Sequence, residues 1–380
     1  MSLALVGDIG GTNARFALWD GQQLQAAGVL ATRDHASPLA AVRAYLAGQH
    51  WEGPPPDRVC LACAGPVQGE LFRFTNNAWQ LERGAFIQAL GLHQLLLVND
   101  FAAMALGTTR LAPGDWLEVR PGEAVAGQPR LVIGPGTGLG VAALLPGAGG
   151  RWNVLPGEGG HVFLPVGSGR EASLWQILAR QQPALEAESV LSGPGLPRLY
   201  RAVCQLEGLA APLQSAAEIS AAAALGDQAA WATLEQFCQW LGRVVSNAAL
   251  TFGARGGIDL AGGLLPHFSG FFLGSGFCQA LLDKGWIRDY LARIPVRLVT
   301  APWTGPQGAA PAPEQAGRPR PGRTRSRRLA RPPTALRTRR ILPRPRPAPP
   351  PPPRPHASRP TGRPALSLLA GLPPLPLRAP

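Results

Sequence analysis

Lysine is nearly missing from this chain: Lys284, in LLDKGW, is the single one among 380 residues. That excludes a P-loop, which needs Gly-Lys-Ser/Thr to set an ammonium on the phosphates, and the strand lysine of protein kinases. Cysteine is also scarce, with five residues at 60, 63, 204, 238 and 278. An odd, scattered set is not a disulfide framework. Cys60-x-x-Cys63 lies in the apolar run RVCLACAG with no second Cys/His pair at ligand spacing, so both read as buried free thiols. No apolar stretch reaches the ~20 residues of a membrane span, and no signal peptide precedes residue 3. A reducing, cytoplasmic setting is expected. Acids are almost absent from residues 303–380, which hold 16 Arg and only Glu314. The whole-chain charge of +13 therefore belongs to this tail, because residues 1–302 carry 20 basic and 22 acidic side chains.

Three regions follow from pattern. Residues 1–110 alternate strands and helices, beginning with LALVGDIG and ARFALWD as a hairpin. SPLAAVRAYLAGQ reads as a helix with Ser37 as N-cap and Pro38 at its first position. RVCLACAG and QLLLVND read as buried strands, with WQLERGAFIQALGL as an amphipathic helix between them. Residues 111–301 restart the plan with RLVIGPGTGLGVAALL, a second hairpin over a glycine turn. A long helix, QAAWATLEQFCQWLGRVVSNAALTF, and the strands GIDLAGG and VRLVTA follow. From 302 to 380 Pro and Arg dominate, and the segment is expected to be disordered. Pro, Arg, Ala and Gly are what GC-rich DNA encodes out of frame, so the sequence from about 310 reads as frameshifted. No aromatic residue beyond Trp303 is present to stack on bases, and nucleic-acid binding by the tail is not expected.

The restart suggests two α/β halves closing on a shared ligand. Each offers a glycine turn with a threonine, and glycines let backbone N–H groups approach phosphate oxygens. GPGTGLG runs into a strand instead of opening a helix, which counts against a dinucleotide fingerprint. Asp8 is the candidate to hold the waters of a hydrated Mg²⁺. In LLLVND, Asn99 and Asp100 stand where a strand gives way to a helix, fitting either a ligand site or a helix N-cap. Glu158 and His161 lie amid glycines in LPGEGGHVF, and Glu188 precedes Ser-Gly-Pro-Gly, as ligand groups or as a solvated helix-terminal acid.

LVGDIGGTNAR, TNNAW, LLLVNDFAA, GPGTGLGVA, LPGEGGHV, ESVLSGPGL and DLAGGLLPHF occur in an order and spacing that resemble the bacterial ATP-dependent glucokinase family. The resemblance covers residues 3 to about 302 and implies a two-domain actin-like ATPase (ribonuclease H-like) fold with an interdomain cleft. The Cys-rich zinc motif of the related ROK family is absent. By this resemblance Gly7, Asp8, Ile9, Gly10, Gly11 and Thr12 form a first ATP phosphate loop, and Gly136, Thr137 and Gly138 a second. Gly262 and Gly263 would lie against the adenosine. Asn99, Glu158, His161 and Glu188 would bind sugar hydroxyls, with Asp100 as the base that accepts the proton of the 6-hydroxyl. The implied reaction is ATP-dependent phosphorylation of glucose, with ATP and Mg²⁺ required and a homodimer as the assembly. A kinase of another hexose such as mannose, or a non-catalytic sugar sensor, are the alternatives. The family's final helix is not recognisable after GPQGA, where the tail begins.

Overall fold

A computed structural model describes residues 3–49, 54–65, 67, 69–74 and 77–310. The Pro/Arg-rich segment from 311, and Thr75 and Asn76 of TNNAW, lie outside the described residues.

The first glycine turn joins β1 (Ala4–Ile9) to β2 (Asn13–Trp19), and β3 (Leu24–Ala31) completes an antiparallel meander. Ser37 caps α1 (Pro38–Ala47) by accepting from the Ala40 N–H at 3.1 Å, with Pro38 in the first turn, as the pattern predicts. The chain then lays β4 (Arg58–Cys63) parallel to β1. β5 (Leu71–Arg73) and β6 (Gln80–Glu82) form a small separate ribbon that feeds α2 (Arg83–Leu90). The predicted helix over WQLERGAFIQALGL is thus shorter, because its first residues pair as a strand. β7 (Gln94–Asn99) adds parallel to β4, giving the order β3-β2-β1-β4-β7.

After α3 (Asp100–Thr108) and β8 (Trp116–Arg120), the same plan repeats. β9 (Arg130–Pro135), β10 (Leu139–Pro146) and β11 (Trp152–Gly157) form the second meander over the second glycine turn. Four helices, α4 (Arg170–Gln181), α5 (Gly195–Glu207), α6 (Ala216–Ala224) and α7 (Gln228–Phe252), follow. β12 (Ile258–Leu260) then lies parallel to β9. Short helices α8 (Ser269–Gly274), α9 (Phe277–Leu282) and α10 (Arg288–Ala292) lead to β13 (Val296–Val299), parallel to β12. The second sheet runs β11-β10-β9-β12-β13-β8, so the restart in the sequence is a repeat of topology. No helix among the described residues is long and apolar enough to cross a membrane.

α3 is sandwiched between the sheets. Ala103 packs with Ala4, Val6, Cys60 and Ala62 of the first, and Ala105 with Val132, Ala142 and Leu144 of the second. Small residues on both faces allow this close approach. The larger core of the second lobe buries Phe237, Trp240 and Leu241 of α7 against β9 and β12. All five cysteines are free, and Cys60 and Cys63 are buried in β4, as read from the sequence. Burial pushes the Cys60 thiol up to about 12, so it is inert as a nucleophile.

One boundary needs correction. The sequence reading starts the tail at 302, yet Thr304–Ala309 form α11, buried against α3 and β1. Ala309 and Ala310 join the Ala4, Val6 and Cys60 cluster, fully buried. A GPQGA stretch looks unsuited to a helix because Gly and Pro are poor formers. Here tertiary packing decides: a Cβ on Gly308 would fall within 1.7 Å of the Ala103 carbonyl oxygen, so glycine is what lets the helices touch.

Candidate active site

The parallel strands of the first sheet end together, since Ile9, Cys63 and Asn99 are register partners. In open α/β sheets ligands lie beyond such carboxyl ends. The turn itself is Gly10–Thr12, with Gly7, Asp8 and Ile9 inside β1. Ile9 is buried in the core, and a Cβ on Gly7 would lie 2.7 Å from the Phe16 ring, so Gly7 serves sheet packing.

The carbonyls of the turn point into the protein. Gly10 O accepts from Asn77 Nδ2 (3.2 Å), Gly11 O from Thr32 Oγ1 (2.7 Å) and Thr12 O from Thr32 N–H (2.9 Å). Among the described residues nothing accepts from the Gly11 and Thr12 N–H groups. Donors left free on a glycine turn form a concavity suited to an anion. Asn77 and Thr32, which orient this turn, were not singled out from sequence. TNNAW carried a signal for Asn77, but nothing local marks Thr32.

Asp8 stands beside that turn, about one-fifth exposed, with the Arg15 guanidinium 3.7 Å away. Burial, and then the Asp100 charge, push its carboxyl up to about 6 against the opposing pull of Arg15. A Cβ on Gly305 would come within 3.2 Å of Asp8 Oδ2, so α11 forms a wall of this corner. An acid whose folded pKa lies above its ordinary value binds extra protons in the folded state. Asp8 therefore costs no stability below about pH 4; the cost grows to about pH 6 and stays above it. Asp8→Asn is expected to stabilise the ligand-free protein at pH 7 by on the order of 1–3 kcal/mol, and hardly at all at pH 4. Denaturant unfolding at the two pH values checks this; equal stabilities at pH 7 would contradict it.

Asn99 and Asp100 open α3. Asn99 Oδ1 accepts from the Ala102 N–H at 2.9 Å, so it is the N-cap, and its amide nitrogen remains available. Asp100 Oδ1 accepts from the Phe101 N–H at 2.7 Å. Burial raises the Asp100 pKa, the Phe101 N–H opposes this, and the Glu158 charge raises it further. A carboxylate moved toward neutrality is a stronger base.

In the second sheet, the 136–138 turn leaves Thr137 exposed at its tip, as Thr12 is in the first. Gly136 N–H donates to Gly138 O (2.7 Å), and Gly136 O accepts from Gly193 N–H (2.8 Å). Gly262 and Gly263 follow β12 alongside it: Leu264 N–H donates to Pro135 O at 3.2 Å, and Gly262 takes φ +127°, open to glycine alone in practice. Buried Asp259, ion-paired to Arg130 and Arg297, ties the strands beneath both turns.

Glu188 connects this turn to the Gly159–His161 turn. Its Oε2 accepts from the Leu139 N–H at 2.7 Å, while its own N–H donates to Gly160 O at 2.8 Å. It is not a helix-terminal acid. Glu158 and His161 are exposed beside β10, with His161 N–H donating to Glu158 O (3.1 Å). Glu186, not singled out from sequence, meets His161 Nδ1 at 2.8 Å. The structure thus brings Asp8, Asp100, Glu158, His161 and Glu188 within electrostatic reach of one another, in a chain of pairs. Among the described residues no cluster of His, Cys, Asp or Glu could hold a metal by itself.

A duplicated α/β fold with a glycine turn on each sheet, and a half-buried carboxylate heading the helix between them, is the actin-like ATPase fold. A family model described as Glucokinase matches residues 5–316, further than the 302 read from sequence and past α11. A glucokinase from Pseudomonas paraeruginosa is 52% identical over 315 residues, covering 83% of this chain and 93% of that one. The crystal structure of a glucokinase from an Antarctic psychrotroph superposes with TM-score 0.73 at 35% identity, over 83% of this chain and 99% of that one. A ROK family glucokinase from Streptomyces griseus, solved with glucose and AMPPNP, shares the fold at TM-score 0.57 and 21% identity, over 83% and 100%. The chain belongs to the glucokinase family.

Proposed function

We propose that this chain transfers the γ-phosphoryl group of ATP to the 6-hydroxyl of D-glucose, giving ADP and glucose 6-phosphate. The observation that carries this reading is the placement of Asp100. It heads α3 beyond the carboxyl end of β7, one oxygen held by a backbone N–H, with the Glu158 charge of the second lobe within electrostatic reach. Residues 1–110 and 111–301 act as the two closing domains, with α11 returning to the first.

Phosphoryl transfer asks mainly for position and for charge neutralisation. The free N–H groups of Gly11 and Thr12, with the Gly136–Gly138 turn opposite, take phosphate oxygens, and Gly262 and Gly263 leave room for the adenosine. Asn99 Nδ2, Glu158, His161 and Glu188 orient the sugar. Asp100 accepts the 6-hydroxyl proton as that oxygen bonds to the γ-phosphorus and the bridging oxygen leaves with ADP. Asp8 fits a hydrated Mg²⁺, which typically uses one or two carboxylates beside the phosphates and, when bound, neutralises their charge. Closure keeps water from competing as acceptor. The protein acts in the cytoplasm, in the homodimer that the family resemblance implies.

Sugar epimers separate because a misplaced hydroxyl leaves buried polar groups unpaired. A coupled assay across glucose, mannose and galactose is expected to give glucose the highest kcat/KM, by at least about tenfold. A preference for mannose would replace glucose as the substrate.

A further inference from the structure

Glu186 belongs to no predicted site, yet the fold holds it against His161. Residues 185–188 lie beside 160–164 through three backbone hydrogen bonds: Leu164 N–H to Leu185 O (2.9 Å), Ala187 N–H to Val162 O (2.8 Å) and Glu188 N–H to Gly160 O (2.8 Å). Phe163 and Glu186 are bridge partners within this ladder. Two acids separated by one residue are thereby committed to different tasks. Glu188 takes the Leu139 N–H, and Glu186 Oε2 takes His161 Nδ1 at 2.8 Å.

An ionised carboxylate can only accept a hydrogen bond, so the Nδ1 facing it carries the proton. The other nitrogen of a neutral ring is then an acceptor, and this division of roles is set by the partner of the first. We infer that Glu186 is a positioning residue that locks the His161 imidazole in its Nδ1–H form, presenting Nε2 as an acceptor for a donating sugar hydroxyl. This rests on the sugar-site reading of His161 given above. Stability does not explain the pair, because the two side chains are 53% and 36% exposed and such pairs contribute little. The hydrogen bond to Glu186 also raises the His161 pKa, with Glu188, Glu186 and Glu158 adding their charges and partial burial opposing. Among the described residues, those three carboxylates are the charged groups acting on the ring. As pH falls through the raised pKa, Nε2 gains a proton and turns from acceptor to donor, so the chosen hydroxyl orientation is lost on the acid side.

Two variants separate position from charge. Glu186→Gln keeps an oxygen that can accept from Nδ1–H, whereas Glu186→Leu removes charge and acceptor together. Imidazole ¹⁵N shifts of the ligand-free protein, assigned with His161→Asn, read the ring directly. The expected results are an Nδ1–H tautomer in the parent and in Glu186→Gln, with a lower His161 pKa in the latter, and loss of that tautomer in Glu186→Leu. In steady-state kinetics Glu186→Leu is expected to raise the glucose KM about fivefold with kcat within about twofold, and Glu186→Gln to restore most of it near pH 8. An Nε2–H tautomer in the parent, or an unchanged KM in Glu186→Leu, overturns the inference. If no hexose is phosphorylated at all, the sugar-site reading fails, while the ¹⁵N spectra still decide whether Glu186 sets the tautomer.

Discussion

Asp100→Ala is expected to lower kcat for glucose phosphorylation by at least ~10²-fold, the low end for loss of a positioned general base. The fall should lie in kcat more than in the glucose KM, because Asn99, Glu158, His161 and Glu188 still grip the sugar. Asp100→Asn is the sharper partner. It keeps an oxygen for the Phe101 N–H and so keeps the start of α3, but it cannot take a proton. Both variants should fold, since Asn99 caps the helix independently of residue 100. Steady-state kinetics beside an unfolding curve check this; near-normal turnover in either variant would remove Asp100 from the chemistry.

Gly308→Val is expected to destabilise the protein by about 3 kcal/mol or more, at the upper end of overpacking effects. The added carbon would overlap the Ala103 carbonyl, and the same crossing forbids a side chain at Gly107, where a Cβ would meet the Thr304 oxygen at 1.9 Å. Displacing α11 would also strip the wall beside Asp8, so activity should fall with stability. Gly84→Ala, inside α2 where a Cβ meets nothing within 4 Å, is the control and should be neutral or stabilising by up to about 1 kcal/mol. Equal denaturation midpoints for Gly308→Val and the parent would mean that Thr304–Ala309 is not part of the folded unit.

What could be read from sequence was whatever local chemistry decides. Alternation, the Ser37-Pro38 start and the glycine turns announce their elements, and the repeated strand–turn–strand plan announces the duplicated topology. Asp100 could be placed because a buried strand ends on it. The remainder depends on partners distant along the chain. Thr32 orients the first turn from 21 residues away, and Glu186 reaches His161 across 25. Gly7 announces a close approach in sequence, but the Phe16 ring that packs on it is invisible there. α11 escaped for a related reason: its glycines are poor helix formers, and only the opposing backbone of α3 shows why they are needed.

Phosphoryl transfer by this chain is tested most directly by product analysis. The purified 380-residue protein, incubated with ATP, Mg²⁺ and ¹³C-glucose, should form ADP and glucose 6-phosphate in equal amounts, with the carbon-6 resonance split by phosphorus. Phosphate appearing with ADP while the glucose stays unmodified would show a site that cleaves ATP without directing it to the sugar, contrary to the placement of Asp100. No consumption of ATP by a protein that unfolds cooperatively would contradict the central claim outright.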